Sequence, residues 1–184
     1  MCKNIKKFQI FSIIFAFVLG TLLHFTFNWS GENKIIAIFS SINESPWEHL
    51  KLVFWPILIT TIIGYFCFKD EFPSFICAKT FGIIISMAFM ITFFYTYTGV
   101  LGKNFAVIDI ASFFLSVLIG ENISYKILND NIFCDNKIAI ANLIILLLSF
   151  IIFTFYTPKL GIFKDPATGQ FGSFAISSTT VPYT

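Results

Sequence analysis

Asn43-Glu44-Ser45-Pro46-Trp47-Glu48-His49-Leu50-Lys51 packs two carboxylates, an imidazole and an ammonium into one short stretch, in a chain of which only 12% of residues are charged. The other histidine, His24, precedes it, and Asp109 lies inside a later apolar run. Imidazole and carboxylate are donors that zinc and similar divalent ions accept, so His24, His49 and Asp109 are the candidate metal ligands. Glu44 and Glu48 are the candidate catalytic carboxylates, able to carry the proton of a water that such an ion would activate. Asn43, Lys51, Tyr95 and Asp165 are the further polar residues expected around the site. Neither HxxxH nor HExxH spacing occurs, no GxSxG elbow is present, and nothing marks an organic cofactor.

A structural account competes for part of this stretch. Ser45-Pro46-Trp47-Glu48 has the form of a capping box, with Ser45 as N-cap, Pro46 at the first helical position and Glu48 reaching back to the cap. A cap does not employ Glu44, His49 or Lys51, and these require an account of their own.

The elements that must position these residues belong in lipid. The chain has 184 residues, 57% of them hydrophobic, and a mean hydropathy of +0.83, far above an ordinary soluble domain. A net charge of +2 provides no basic surface for nucleic acid; the bilayer is the expected partner. The expected fold is an all-α integral membrane protein, one transmembrane domain over residues 1–172 followed by a short tail, 173–184. Its five spans are expected at about 8–28, 46–68, 74–96, 105–128 and 138–157, each long enough to cross a ~30 Å hydrocarbon core at 1.5 Å per residue. Residues 34–42 are apolar but too short to cross, and read as an interfacial or re-entrant piece. Pro56 inside the second span removes a backbone donor and predicts a kink, with a carbonyl near Leu52 in need of another partner. Asp109, Ser112, Ser116 and Gly120 fall on one stripe of the fourth span, which must face protein or water. Glu121 and Asp130, with Lys126 between them, read as solvated surface charges.

Placing the N-terminus in the cytoplasm puts seven lysines inside (Lys3, Lys6, Lys7, Lys69, Lys79, Lys126, Lys137) and five outside, the bias expected of cytoplasmic loops. The C-terminus of this multi-pass chain then lies outside the cell membrane. Cys2, Cys67, Cys77 and Cys134 form no CxxC pair; all four fall on the cytoplasmic side and are expected to be unpaired thiols. The same choice gathers the polar ends of all five spans at the extracytoplasmic face. Asp109 should sit there roughly 9 Å along its helix, a position costing about 2.5–3.5 kcal/mol unless paired or hydrated, with His24, His49 or Lys51 as expected partners.

Leu23-His24-Phe25 followed by Trp29-Ser30-Gly31, the stretch from Asn43 to Lys51 with Pro56, Tyr95-Thr96-Tyr97-Thr98-Gly99, and Asp165-Pro166-Ala167-Thr168-Gly169 together resemble an uncharacterised family of small bacterial polytopic membrane proteins, a domain of unknown function. The resemblance implies the multi-span topology and carries no activity. Three functional readings follow from the residues: a metal-assisted hydrolase or transferase acting on lipid-like or envelope material; an ion or solute transport or sensing component, lined by Asp109, Ser112 and Ser116; and a non-catalytic, partner-binding membrane subunit held together by interhelical hydrogen bonds.

Overall fold

Asparagine, serine and aspartate start four of the helices by accepting orphan backbone amides, as N-caps do, the shortest helix being capped by Asn33 Oδ1 on the Ile35 amide at 2.8 Å. Asn4 Oδ1 takes the Lys7 amide at 3.2 Å, Ser45 Oγ that of Glu48 at 3.4 Å, and Asp135 Oδ1 that of Lys137 at 2.7 Å. The computed structural model describes residues 4–172; the tail from residue 173 lies outside the described residues. The described chain is helical: α1 (Ile5–Trp29), α2 (Lys34–Ala37), α3 (Pro46–Phe68), α4 (Phe75–Leu101), α5 (Ala106–Asn129) and α6 (Asn136–Phe155), then a 3-10 turn at Gly161–Phe163. All but α2 are long and apolar enough to cross a membrane, five in number, and the expected spans fall on them. Beyond the expected end of the third span at about residue 96, α4 stays helical through Gly99 to Leu101. One glycine costs a helix only about 1 kcal/mol. The stop comes at Gly102, whose φ of 73° turns the chain out of the helix.

The centre of the bundle is α3. Leu50, Val53, Phe54 and Ile57 are buried against Ala16 of α1, Ile83 and Met87 of α4, Phe113 and Val117 of α5, and Phe150 of α6. Helices in lipid associate through close packing of small residues and interhelical polar contacts. Both devices appear here: Gly82 of α4 and Gly120 of α5 meet backbone to backbone, so that a Cβ on either would strike the other chain. The carbonyl of Leu52, which Pro56 deprives of its α-helical donor, rests against Gly20 of α1, where a Cβ would come within 2.6 Å of it.

The segment between α1 and α3 folds against the bundle, and buried side chains satisfy its backbone. The Lys51 ammonium donates to the carbonyls of Ala37 (2.9 Å) and Ser40 (3.3 Å) and to Glu48 Oε2 (2.6 Å). Glu48 Oε2 in turn accepts from the Ile42 amide at 3.1 Å, and the Trp55 indole donates to the Ile38 carbonyl at 3.0 Å. Irregular backbone at membrane depth is tolerated only when paired in this way. The capping box is therefore half formed. Ser45 Oγ caps Glu48, but the Glu48 carboxylate turns inward to Lys51 one turn along, and the Ser45 amide is taken instead by Asn43 Oδ1 at 2.9 Å. Replacing Lys51 by methionine should leave α3 intact and raise amide exchange at residues 40–42 by about ten- to a hundredfold, the cost of losing hydrogen bonds to a charged donor; hydrogen exchange read by mass spectrometry measures it.

At the opposite end of the bundle the expectation of unpaired thiols is overturned for the described cysteines, Cys2 lying outside the described residues. Cys77 in the first turn of α4 is bonded to Cys134 in the loop before α6, their Cα atoms 5.9 Å apart, and none of the described cysteines is free. Asn136 reinforces the clamp by accepting the Cys77 amide at 3.0 Å. A separation of 57 residues with no motif hides this pair until the two helix starts are packed side by side.

A second correction concerns Glu121. It is not solvated: with 1% of its surface exposed it lies among α1, α4 and α5, where both carboxylate oxygens take the Lys79 ammonium at 2.7 and 2.6 Å. Ser12 Oγ donates to it at 3.1 Å, and the Gln9 amide nitrogen donates to its carboxylate and, at 2.5 Å, to its carbonyl. Ser12 also meets Thr60 of α3 at 2.7 Å. One ion pair thus ties four helices. Lysine and glutamate this deep inside spanning helices are stable only as partners.

Candidate metal centre

Two spans run in opposite directions and place a histidine about one turn from the same end of the bundle: His24 near the close of α1, His49 in the first turn of α3. The segment between them fixes both rings. Ser40 Oγ accepts from the Phe27 amide at 3.0 Å and donates to the Leu23 carbonyl, tying the segment to α1. The neighbouring Ser41 Oγ lies 3.2 Å from His24 Nδ1 and 3.5 Å from the His24 carbonyl, a placement in which its oxygen can accept an Nδ1 proton while its own proton goes to the carbonyl. His49 Nδ1 lies 3.0 Å from the Ser45 carbonyl, which can only accept. The carbonyl thus holds His49 with its proton on Nδ1 and a lone pair on Nε2, and the serine permits the same in His24, the arrangement that outer partners impose on metal-binding histidines.

Those two Nε2 atoms converge on one carboxylate. His24 Nε2 is 3.8 Å from Glu44 Oε1 and His49 Nε2 is 3.5 Å from Glu44 Oε2, with the ring centroids 5.3 Å apart. One ligand atom from each of His24, Glu44 and His49 lies within 4.8 Å of the other two. Lone pairs aimed at a carboxylate repel it unless a positive charge sits between them. A divalent cation supplies that charge, and the group could hold one. Two histidines and a glutamate are also the donor set of a zinc centre that keeps a fourth position open.

The centre faces a cavity of about 250 Å³ bounded by α1, α3 and α5, with His24, Glu44, His49, Asn104 and Asp109 at its polar end. A smaller hollow of about 40 Å³ shares Glu44, His49, Asn104 and Asp109 and reaches Ser112. Asp109 stands in both. Its carboxylate is held by Tyr97, whose hydroxyl donates to Oδ1, and by Asn104 Nδ2 at 3.3 Å from Oδ2. Tyr97 in turn accepts the Phe105 amide at 3.2 Å. The expected partners His24, His49 and Lys51 give way to Tyr97 and Asn104, because the α4–α5 turn brings these closer than any side chain of α1 or α3.

The remaining candidates are sorted by the same geometry. Glu48 and Lys51 are sealed against each other and line neither hollow. Asn43 Nδ2 donates to the Gly172 carbonyl at 3.2 Å. Asp165 is buried and builds its own turn, with Oδ1 accepting the amides of Ala167 (2.7 Å) and Thr168 (3.2 Å). That turn carries Phe163 onto Trp47, ring centroids 4.9 Å apart, so Asn43 and Asp165 fold the end of the described chain over the start of α3. Tyr95 is half exposed and lines neither hollow. Sequence reasoning missed Tyr97 and Asn104 as holders of Asp109, and Lys79 with Gln9 as holders of Glu121. A signal existed for the second pair: Lys79 falls inside an apolar span, and a lysine there needs an acid.

Fold and site together define a class: a multi-pass helical membrane protein with a polar, metal-competent pocket at one end of its bundle. The chain belongs to a family of unknown function, DUF6512, whose profile matches residues 1–173. No curated protein and no solved structure matches it.

Proposed function

We propose that the protein is a metal-assisted hydrolase or transferase of a bacterial cell membrane, with His24, Glu44 and His49 holding one divalent ion. The observation that carries this reading is the convergence of two oriented Nε2 atoms and a carboxylate at the mouth of a cavity. The ion would serve as Lewis acid toward water and toward an ester or phosphoester oxygen at its open position. Asp109, across the same cavity and pinned by Tyr97 and Asn104, is the carboxylate placed to take the proton of that water. Glu44 and Asp109 thereby exchange the roles expected from sequence, and Glu48 has a structural one. Titration of the purified, chelator-stripped protein with zinc is the experiment: one ion per chain is expected, and no saturable uptake would end the proposal.

The transport or sensing reading draws on Asp109, Ser112 and Ser116. Both serine hydroxyls donate back into their own helix, to the carbonyls of Asp109 and Phe113 at 2.7 Å. As placed, neither hydroxyl donates toward the pocket.

For orientation, the proposal keeps the N-terminus in the cytoplasm. With Lys51 and Lys79 buried in ion pairs, the remaining lysines still divide six to four in favour of that side. The Cys77–Cys134 bond is the opposing observation, since it puts a disulfide on the face assigned to a reducing compartment. A cysteine introduced at exposed Lys103 should react with an impermeant maleimide in intact cells; labelling only after lysis would invert the topology.

A further inference from the structure

We infer that the cavity between α1 and α5 receives one acyl chain of a membrane lipid, whose anionic head group reaches the His24–Glu44–His49 centre. This rests on the metal-site reading and names the substrate class that the site would take.

The cavity has two chemically distinct ends. Its polar end is the metal-competent centre with Asp109 and Asn104, flanked by Phe25, whose ring lies 5.0 Å from that of His24, and by Ile110; about one helical turn deeper it is walled by Leu52, Phe113 and Phe114. Thr21 also lines it, but its hydroxyl is spent on the Phe17 carbonyl at 2.7 Å, leaving the methyl group as its apolar face. A small polar substrate would leave the aromatic wall unfilled, and a purely apolar one would bury Asp109 and Glu44 against hydrocarbon at several kilocalories of desolvation. Only a molecule with both parts satisfies both ends.

The way in is from the bilayer. Thr21, Phe25 and Ile110 belong to spanning helices and are exposed, Ile110 by 57%, and on such helices exposure means contact with lipid. The rim of the cavity is therefore a lateral opening between α1 and α5, continuous with the acyl region on one side and the head-group level on the other. Coordination selects the head group. The open position of a divalent ion held by two imidazoles and one carboxylate takes a hard oxygen donor, which a phosphate provides.

The test uses the full chain in phosphatidylcholine nanodiscs doped with phosphatidic acid carrying a photoactivatable diazirine in its acyl chain. With zinc present, label should appear on the α1 and α5 peptides that carry Phe25, Ile110 and Phe114, and should fall at least about tenfold, the change made by losing one good interaction, on chelation or in His49→Ala. Filling the opening with Thr21→Trp or Ile110→Trp, both at lipid-facing positions that folding tolerates, should remove the label while zinc uptake, read by calorimetry, stays as in the wild type. Label that ignores both zinc and the tryptophans would overturn the inference, as an annular lipid behaves in that way. Failure of the wild type to bind zinc would be seen in the calorimetry and would remove the metal reading itself; zinc bound normally with no acyl label would remove the lipid inference alone.

Discussion

Glu121→Ala should destabilise the bundle by about 3–5 kcal/mol, the range for removing one partner of a buried ion pair. The Lys79 ammonium has no exposed side-chain surface and takes two of its three contacts from Glu121, the third from Ser12 at 3.1 Å. Once the carboxylate is gone, an uncompensated charge remains inside four spanning helices. An ordinary interhelical hydrogen bond in a membrane protein is worth about 0.6 kcal/mol, so the size of the loss separates a sealed ion pair from common polar glue. The companion variant Lys79→Met with Glu121→Leu removes both charges and should recover most of the lost stability, because desolvating the pair offsets much of its attraction. Unfolding of the detergent-solubilised protein by added denaturing surfactant provides the comparison. Glu121→Ala unfolding at the wild-type midpoint would mean that water reaches Lys79.

At the other end of the bundle, His24→Ala, His49→Ala and Glu44→Ala should each weaken zinc binding by more than about a hundredfold. Losing an outer partner alone costs roughly ten- to a hundredfold, and Ser41→Ala, which only releases the His24 ring, should fall in that lower range. Asp109→Asn separates the two functions assigned to the pocket: it should bind zinc as the wild type does and lose whatever turnover the protein supports. Acidification should release the ion, because each imidazole must present its Nε2 lone pair and a proton competes for it. A rival explanation makes Glu44 the counter-ion of a protonated histidine and nothing more. On that account zinc titrations of wild type and His49→Ala would coincide.

How much of this was legible beforehand depends on whether the relevant physics is local. The spans were legible, because twenty apolar residues in a row must be helical to satisfy their own backbone in lipid. So was the N-terminus of α3, where Ser45 and Pro46 stand in the order a cap requires. The carbonyl freed by Pro56 was legible at Leu52; its neighbour Gly20 was not, since that contact is made across two helices. His24, Glu44, His49 and Asp109 could be chosen as chemically able residues on one side of the membrane. Which of them would meet could not.

Sequence alone determined the helical spans, the apolar piece between the first two that is too short to cross, and the concentration of polar side chains at one end of the bundle, because these follow from hydropathy and from hydrogen bonds that close within a helix. Tertiary structure alone decided that Glu44, not Asp109, joins the two histidines, that Glu48 turns inward to Lys51, that Glu121 is buried on Lys79, and that Cys77 finds Cys134. Glu48 and Lys51 are neighbours on α3 and turn inward because the segment before that helix offers them backbone partners; the other three outcomes depend on distances between elements, set by the close approach of Gly82 to Gly120 and by the side chains around α3, and the order of residues along one helix does not encode such a distance.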